Sequence, residues 1–160
     1  MTMSPEGITL LTELEGCKPL PYQDSAGLWS FGIGHLLTKS ELASGKISLR
    51  NPGLCRYGSE PWPQTWLDDL LHQDLRTTEY GIRISVSVPL AQCQYDALCS
   101  WTYNVGVDAL RMSTLLKRLN AGQYEEVPAQ MRRWVYAGGR IMEGLRRRRA
   151  RESALWEGSA

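Results

Sequence analysis

Apolar residues near the start of the chain recur with helical spacing. Ile8, Leu11 and Leu14 lie three residues apart, which places them on one helix face. Ser4 is a good N-cap, Pro5 suits the first helical position, and Glu6 sits where the helix dipole favours an anion. The pattern predicts a helix over residues 4–14, with Gly16 available to end it. Ile8 and Glu15 are seven apart, so Glu15 continues the apolar stripe rather than the wet face.

After Gly27 the period changes to two. Leu28, Ser30 and Gly32 alternate with Trp29, Phe31 and Ile33, which predicts a short strand with Ser30 facing away from Trp29 and Phe31. Between helix and strand, Pro19, Pro21 and the glycines read as a turn. Residues 43–61 are rich in Gly, Pro, Ser and Asn, with one short strand expected at Lys46–Leu49. Residues 63–82 carry a helical stripe of Trp66, Leu67, Leu70, Leu71, Leu75 and Tyr80. Ile84, Val86 and Val88 alternate with Ser85 and Ser87 and are read as an extended connector bounded by Pro89.

A second strong helix is expected over 90–105, with Leu90, Cys93, Ala97, Leu98, Trp101 and Val105 inward. Two short helices follow at 113–122 and 124–135, the first capped by Ser113 and ended by Gly122, the second starting near Pro128. The last helix is expected over 139–157, after Gly138-Gly139, with Ile141, Met142, Leu145, Ala150, Ala154 and Leu155 as its apolar stripe. Arg146–Arg149 would circle that helix, so at least one must turn inward and pair with a carboxylate. The whole reads as α+β with helices dominant.

Composition narrows this little. A chain of 160 residues with 42% hydrophobic residues suits one compact unit or two small lobes. Charge is more informative. Residues 130–160 hold eight Arg and three Glu, a balance of +5, and residues 1–129 hold ten Lys or Arg against fourteen Asp or Glu, a balance of −4. A basic end implies an anionic partner such as nucleic acid, anionic lipid or an anionic wall. Cys17, Cys55, Cys93 and Cys99 form no CxxC pair and only two His are present, which argues against zinc. Free thiols are expected, as in a reducing cytoplasm, although the even count leaves a disulfide open. No leader-like start and no apolar run long enough for a membrane span is read in the sequence, so no membrane insertion is expected.

The chemistry-bearing stretch is Glu15 to His35. It places two carboxylates, Glu15 and Asp24, and one hydroxyl, Ser30, on a helix end, a turn and a strand. A carboxyl group on an apolar stripe loses hydration, which favours the protonated form a general acid needs. A second carboxylate and a hydroxyl can activate and orient water. Two carboxyl groups suffice for splitting a glycosidic bond, so no cofactor or metal is expected.

The run Glu15-Gly16, Tyr22, Asp24, Gly27 and then SFGIGHLLTKSEL from Ser30 to Leu42 resembles the phage lysozymes of the T4 type, glycoside hydrolase family 24. Eight residues separate Glu15 from Asp24 and five separate Asp24 from Ser30, as in the family pattern. Ser30 stands where the family has Thr, and Phe31 where it has Ile. Weaker similarity runs through HQD at His72–Asp74, QYDALCSWTYNVG at Gln94–Gly106 and WVYAGGRIMEGLRRRR at Trp134–Arg149.

That resemblance implies a lysozyme-like fold of two lobes: a small hairpin lobe over about 1–62, a connecting helix over about 63–82 and a helical lobe over about 83–160, with the substrate cleft between the lobes. It implies hydrolysis of the β-1,4 bond between N-acetylmuramic acid and N-acetylglucosamine in bacterial peptidoglycan. Glu15 would be the acid, with Asp24 and Ser30 activating water. His35 and Asp74 would form a structural pair, and Asn104 and Trp134 would contact sugar. Asn104 also reads as a helix C-cap, and Trp134 as a core residue. The resemblance further implies a monomer made in the host cytoplasm and released by a holin to act on the periplasmic wall, with nucleic acid no part of its task. Two rivals stand beside it: a lytic transglycosylase acting on the same bond through Glu15, and a non-catalytic module whose Arg-rich helix grips nucleic acid or anionic membrane.

Overall fold

The computed structural model describes residues 1–23 and 27–158. They divide into two compact units, one formed by residues 12–76 and the other by residues 1–11 with 77–160.

Helix α1 spans Pro5–Glu15. Ser4 caps it, its Oγ accepting from the Gly7 N–H at 3.1 Å. The same hydroxyl donates to Asp96 Oδ2 at 2.5 Å, so the cap also fastens the first turn to buried Asp96. Gly7 is needed here, because a Cβ at this position would lie 2.7 Å from Asp96 Cγ.

The smaller unit opens with a three-stranded antiparallel sheet in the order β1-β2-β3, formed by Lys18–Gln23, Trp29–Gly32 and His35–Leu36. Pro19 and Pro21, turn formers by sequence, lie in β1. That strand is at the sheet edge, where a residue without an N–H is tolerated, and its register with β2 is irregular between Lys18 and Tyr22. Alternation along β2 is imperfect. Trp29 is 41% exposed, but both Ser30 and Phe31 are buried, so this strand is covered on both faces.

Helix α2, Lys39–Ser44, follows with a Thr38–Glu41 capping box and Gly45 in the left-handed region at its end. The strand expected at 46–49 is present as β4, Lys46–Ser48, and it pairs with an unforeseen β5, Leu54–Arg56. The core of this unit is Phe31, Leu37, Ile47, Leu49, Cys55, Trp62, Leu67 and Leu70. Trp62 meets Phe31 edge-on at 4.8 Å and donates its indole N–H to Arg56 O at 2.7 Å.

Helix α3 spans Gln64–Ser85, three residues beyond the predicted end. Ile84 is therefore helical, and the alternation at 84–88 was misleading. Asn120 stops the helix: its Nδ2 donates to Ser85 O and its Oδ1 accepts from the Ser87 N–H, both at 2.9 Å. Tyr80 leaves the expected stripe and is 55% exposed.

The larger unit is built around α4, Gln92–Val105, whose residues from Tyr95 to Thr102 are all buried. The chain then turns through α5, Val107–Met112, which had no sequence signal, and α6, Thr114–Asn120, capped as expected by Ser113 Oγ accepting from the Leu116 N–H. Val107 packs on Gly81, where a Cβ would lie 2.5 Å from Val107 Cγ1. The helix expected at 124–135 is shorter, a 3-10 turn at Tyr124–Glu126 leading into α7, Val127–Met131.

The start of the last predicted helix is instead a hairpin, β6 (Tyr136–Ala137) with β7 (Arg140–Ile141), turned by Gly138-Gly139, both at positive φ. Helix α8 spans Glu143–Trp156. Its buried face is Arg148, Arg149, Glu152, Ser153 and Trp156, not the apolar stripe read from the sequence. Ile141 and Met142 are exposed, and α8 packs on α4 through its charged residues. All four cysteines are free thiols.

Candidate active site

Glu15 is the last residue of α1. Gly16 ends the helix with φ +74° and an N–H donated to Thr12 O at 2.9 Å. The helix therefore delivers the Glu15 side chain, half-buried, at its terminus. The carboxyl group rests against the turn between β2 and β3. A Cβ on Gly34 would lie 2.9 Å from Glu15 Oε2 and 3.0 Å from Cδ. Gly34 has φ +72°, so glycine is favoured there both for its backbone and for the close approach.

Ser30 lies on β2, buried and paired across the sheet with Tyr22 and Leu36. Asp24 lies outside the described residues.

His35 begins β3, directly after Gly34. Its Nδ1 is 2.8 Å from Asp74 Oδ2 and its Nε2 is 3.3 Å from Glu41 Oε2. Burial alone would lower the imidazole pKa, but the hydrogen bonds and charges of Asp74 and Glu41 outweigh it and the net shift is upward. For Glu41, burial pushes upward, while hydrogen bonds from Thr38 and the His35 charge bring it below its ordinary value. Glu41 was missed in the sequence. Its signal was the Thr38-x-x-Glu41 spacing of a capping box, whose carboxylate here serves both the helix start and His35.

In the larger unit, Asn104 sits inside the last turn of α4 and is exposed. It is not the helix C-cap; that place is held by Gly106. Its Oδ1 accepts a short hydrogen bond from Arg149 Nη2. Trp134 is 36% exposed and meets buried Trp101 edge-on at 5.1 Å, so its ring packs against the core on one side and is open on the other. The Trp134 carbonyl accepts from Arg149 Nε at 3.0 Å. The structure thus brings His35 to Asp74, and Asn104 to the Trp134 backbone through Arg149. Glu15, Ser30, His35 and Asp74 belong to the smaller unit, Asn104 and Trp134 to the larger.

Arg149 and its partners were foreseen only as an inward arginine with some carboxylate. The carboxylate is Glu152, which takes Arg149 Nη1 at 2.5 Å and Arg148 Nε at 2.9 Å. Among the described residues no group of three or more His, Cys, Asp or Glu is placed to hold a metal ion, and no helix is long and apolar enough to cross a membrane.

A model of the phage lysozyme family matches residues 12–152. The endolysin of Acyrthosiphon pisum secondary endosymbiont phage 1 is 34% identical over 161 residues, which cover 98% of this chain and 99% of that protein. The crystal structure of a P22 lysozyme mutant superimposes with a TM-score of 0.79 at 34% identity, over 98% of this chain and 99% of that one. The muramidase domain of SpmX from Asticaccaulis excentricus gives a TM-score of 0.78 at 30% identity, with 97% of each chain covered.

Proposed function

The chain belongs to the phage lysozyme family and is a lysozyme-type endolysin of host lysis with a lysozyme-like, mostly helical α+β fold, and from that premise we propose that Glu15 is the general acid that cleaves the β-1,4 bond between N-acetylmuramic acid and N-acetylglucosamine in peptidoglycan. The observation that carries this is the seating of Glu15: a helix end delivers its carboxyl group onto the bare backbone of Gly34. That contact limits where the acid can point, and a proton donor must be held close to the leaving oxygen to be effective.

Once the leaving oxygen is protonated, water must reach the anomeric carbon. Asp24 takes the water's proton as base, and the Ser30 hydroxyl orients that water by hydrogen bonding. A hydroxyl in that role is useful when water attacks directly, so the reaction inverts the anomeric centre, as in enzymes that keep room for a water between their two carboxyl groups. Ser30 lacks the methyl of Thr that would restrict its rotamer, and its burial on β2 supplies that restriction.

Purified protein added to isolated peptidoglycan tests the reading. Glu15→Gln should keep the fold and lose on the order of 10²–10⁴ in rate, the usual share of a general acid. New reducing ends with a gain of one water per cut mark hydrolysis; anhydro products would mark transglycosylation instead. NMR of the fresh product should show the α-anomer first, with Ser30→Ala slow and Ser30→Thr active. A Glu15→Gln variant that clears the wall at the parent rate would remove Glu15 from its role. The same reading has the enzyme made in the host cytoplasm, released by a holin and acting as a monomer. Co-expression with and without a holin, followed by culture turbidity, tests the release.

A further inference from the structure

The alternation of Ile84, Val86 and Val88 fails at Ile84, which is helical, but Val86 and Val88, just beyond α3, share a task. Both line a cavity of the larger unit, about 180 Å³ in volume, together with Ile82, Leu90 and Tyr95. Ile82 and Tyr95 are 1% and 4% exposed. Polar groups along this wall are already in use. The Val86 N–H donates to Ile82 O at 2.9 Å. Asn120 donates to Ser85 O and accepts from the Ser87 N–H, both at 2.9 Å. The Tyr124 hydroxyl donates to Pro89 O at 2.8 Å, and the Tyr95 hydroxyl to Met1 O at 3.0 Å. The wall is therefore apolar and pinned before anything binds, which lowers the cost of ordering it around a guest.

Among the described residues, Arg83 is the one charged side chain that lines this cavity. It is exposed, and its guanidinium lies over the Tyr80 ring at 5.1 Å. Such a side chain can cover apolar surface with its stem while its head stays in water. No Asp or Glu lines the cavity. Glu79, one helical turn before Arg83, accepts the Met3 N–H at 2.8 Å. The result is an apolar recess with a cation at its wall and no carboxylate to match it. An apolar cavity of about 150 Å³ admits a benzene-sized guest, so this one has room for a tail of about six carbons. A carboxylate suits the guanidinium fork, because it can accept two parallel N–H bonds. We propose that this recess is a binding site for a small carboxylate-headed amphiphile, its aliphatic tail against Val86 and Val88 and its carboxylate on Arg83. The site is independent of the residues assigned to bond cleavage.

Heptanoate is the probe, with heptanamide as the same tail without charge and acetate as the same head without a tail. Binding is followed by NMR at the Val86 and Val88 amides of the whole protein, at millimolar ligand. Heptanoate should shift both amides and bind about tenfold more tightly than heptanamide, the share of a charge-assisted pair. Arg83→Gln should lose that tenfold preference and leave heptanamide unchanged, while Arg83→Lys should keep most of it. Val88→Phe, at a half-buried position, should fill the recess and weaken heptanoate and heptanamide alike. Acetate should leave the amides unmoved. Acetate binding as well as heptanoate would mean an anion on a surface arginine only, and would overturn the proposal. Equal affinity for heptanoate and heptanamide, or parental heptanoate affinity in Arg83→Gln or Val88→Phe, would overturn it too, as would amides that stay still with heptanoate.

Discussion

Gly34→Ala should damage catalysis far more than stability, and the structure allows the two to be separated. The substitution has two costs. First, Gly34 has φ +72°, a left-handed backbone that costs an L-residue with a Cβ about 1–2 kcal/mol. Second, the new Cβ would stand 2.9 Å from Glu15 Oε2, 3.0 Å from Cδ and 3.2 Å from Cγ. Carbon atoms at rest prefer about 3.5–4.0 Å, so the carboxyl group must retreat by roughly half an ångström to an ångström. The end of a Glu side chain can do so by turning off its rotamer, which costs about 0.5–1.5 kcal/mol. A reacting group misplaced by about 1 Å can cost on the order of 10² in rate. Gly45→Ala is the control: Gly45 has φ +65° and nothing within 4 Å of an added Cβ. It bears the backbone cost alone. In urea Gly45→Ala should unfold about 1–2 kcal/mol below the parent and Gly34→Ala about 1.5–3.5 kcal/mol below it, both still folded at 25 °C. Release of reducing ends from peptidoglycan should fall about a hundredfold for Gly34→Ala and stay near the parent rate for Gly45→Ala. Equal activity in the two variants would refute the idea that Gly34 places Glu15.

Two further outcomes follow from the ionic clusters. The pKa of His35 is raised from 6.5 and that of Glu41 lowered from 4.5, so the His35 contribution is complete below pH 6.5 and fades as pH climbs through the raised value, while that of Glu41 is complete above 4.5 and fades as pH falls through its lowered value. The thermal midpoint should therefore decline on the alkaline side in the parent and lose that decline in His35→Asn; identical alkaline limbs would exclude His35 as the cause. Glu152→Gln removes the counter-charge shared by two buried arginines and should cost about 3–5 kcal/mol in urea unfolding, as breaking buried pairs does; a loss under about 1 kcal/mol would mean that water or another group already compensates them.

Much of this was legible where local chemistry and tertiary packing agree. Ser4-Pro5 and Gly16 mark the ends of α1, and the leucines of α3 lie where their period puts them. The sequence failed where packing overrules local pattern. Ile84 looks like a strand residue, but Asn120, remote in sequence, ends the helix beyond it. The two- and three-residue strands β5, β6 and β7 exist only by pairing and leave little period to read. The apolar stripe read for the last helix includes Ile141, Met142 and Ala150, all exposed, and the first two precede α8. The buried face is ionic, with Glu152 three and four residues after its two arginines. Apolar periodicity cannot find such a face, although the charge spacing could have. Likewise Asn104 stood out by its place at a helix end, but its partner lies 45 residues away, and only the packing of α8 on α4 discloses it.

The ionic cluster at His35 bears on the chemistry through a single peptide link. Gly34 supports the Glu15 carboxyl group, and the residue that follows it is held by Asp74 of α3 and Glu41 of α2. On the other side of the turn, Phe31 is fully buried, packed against Trp62 and Tyr57, and it pairs with His35 across the sheet. A glycine turn would by itself be the most pliable part of this unit, since glycine has the widest choice of backbone angles. Here an aromatic core contact and a two-carboxylate clamp fix its flanks. The Glu15 carboxyl group can thus rest on a residue without a side chain and still be held in place. Under the proposed mechanism His35 gives no proton to the substrate, and its part is to hold the turn on which the Glu15 side chain rests.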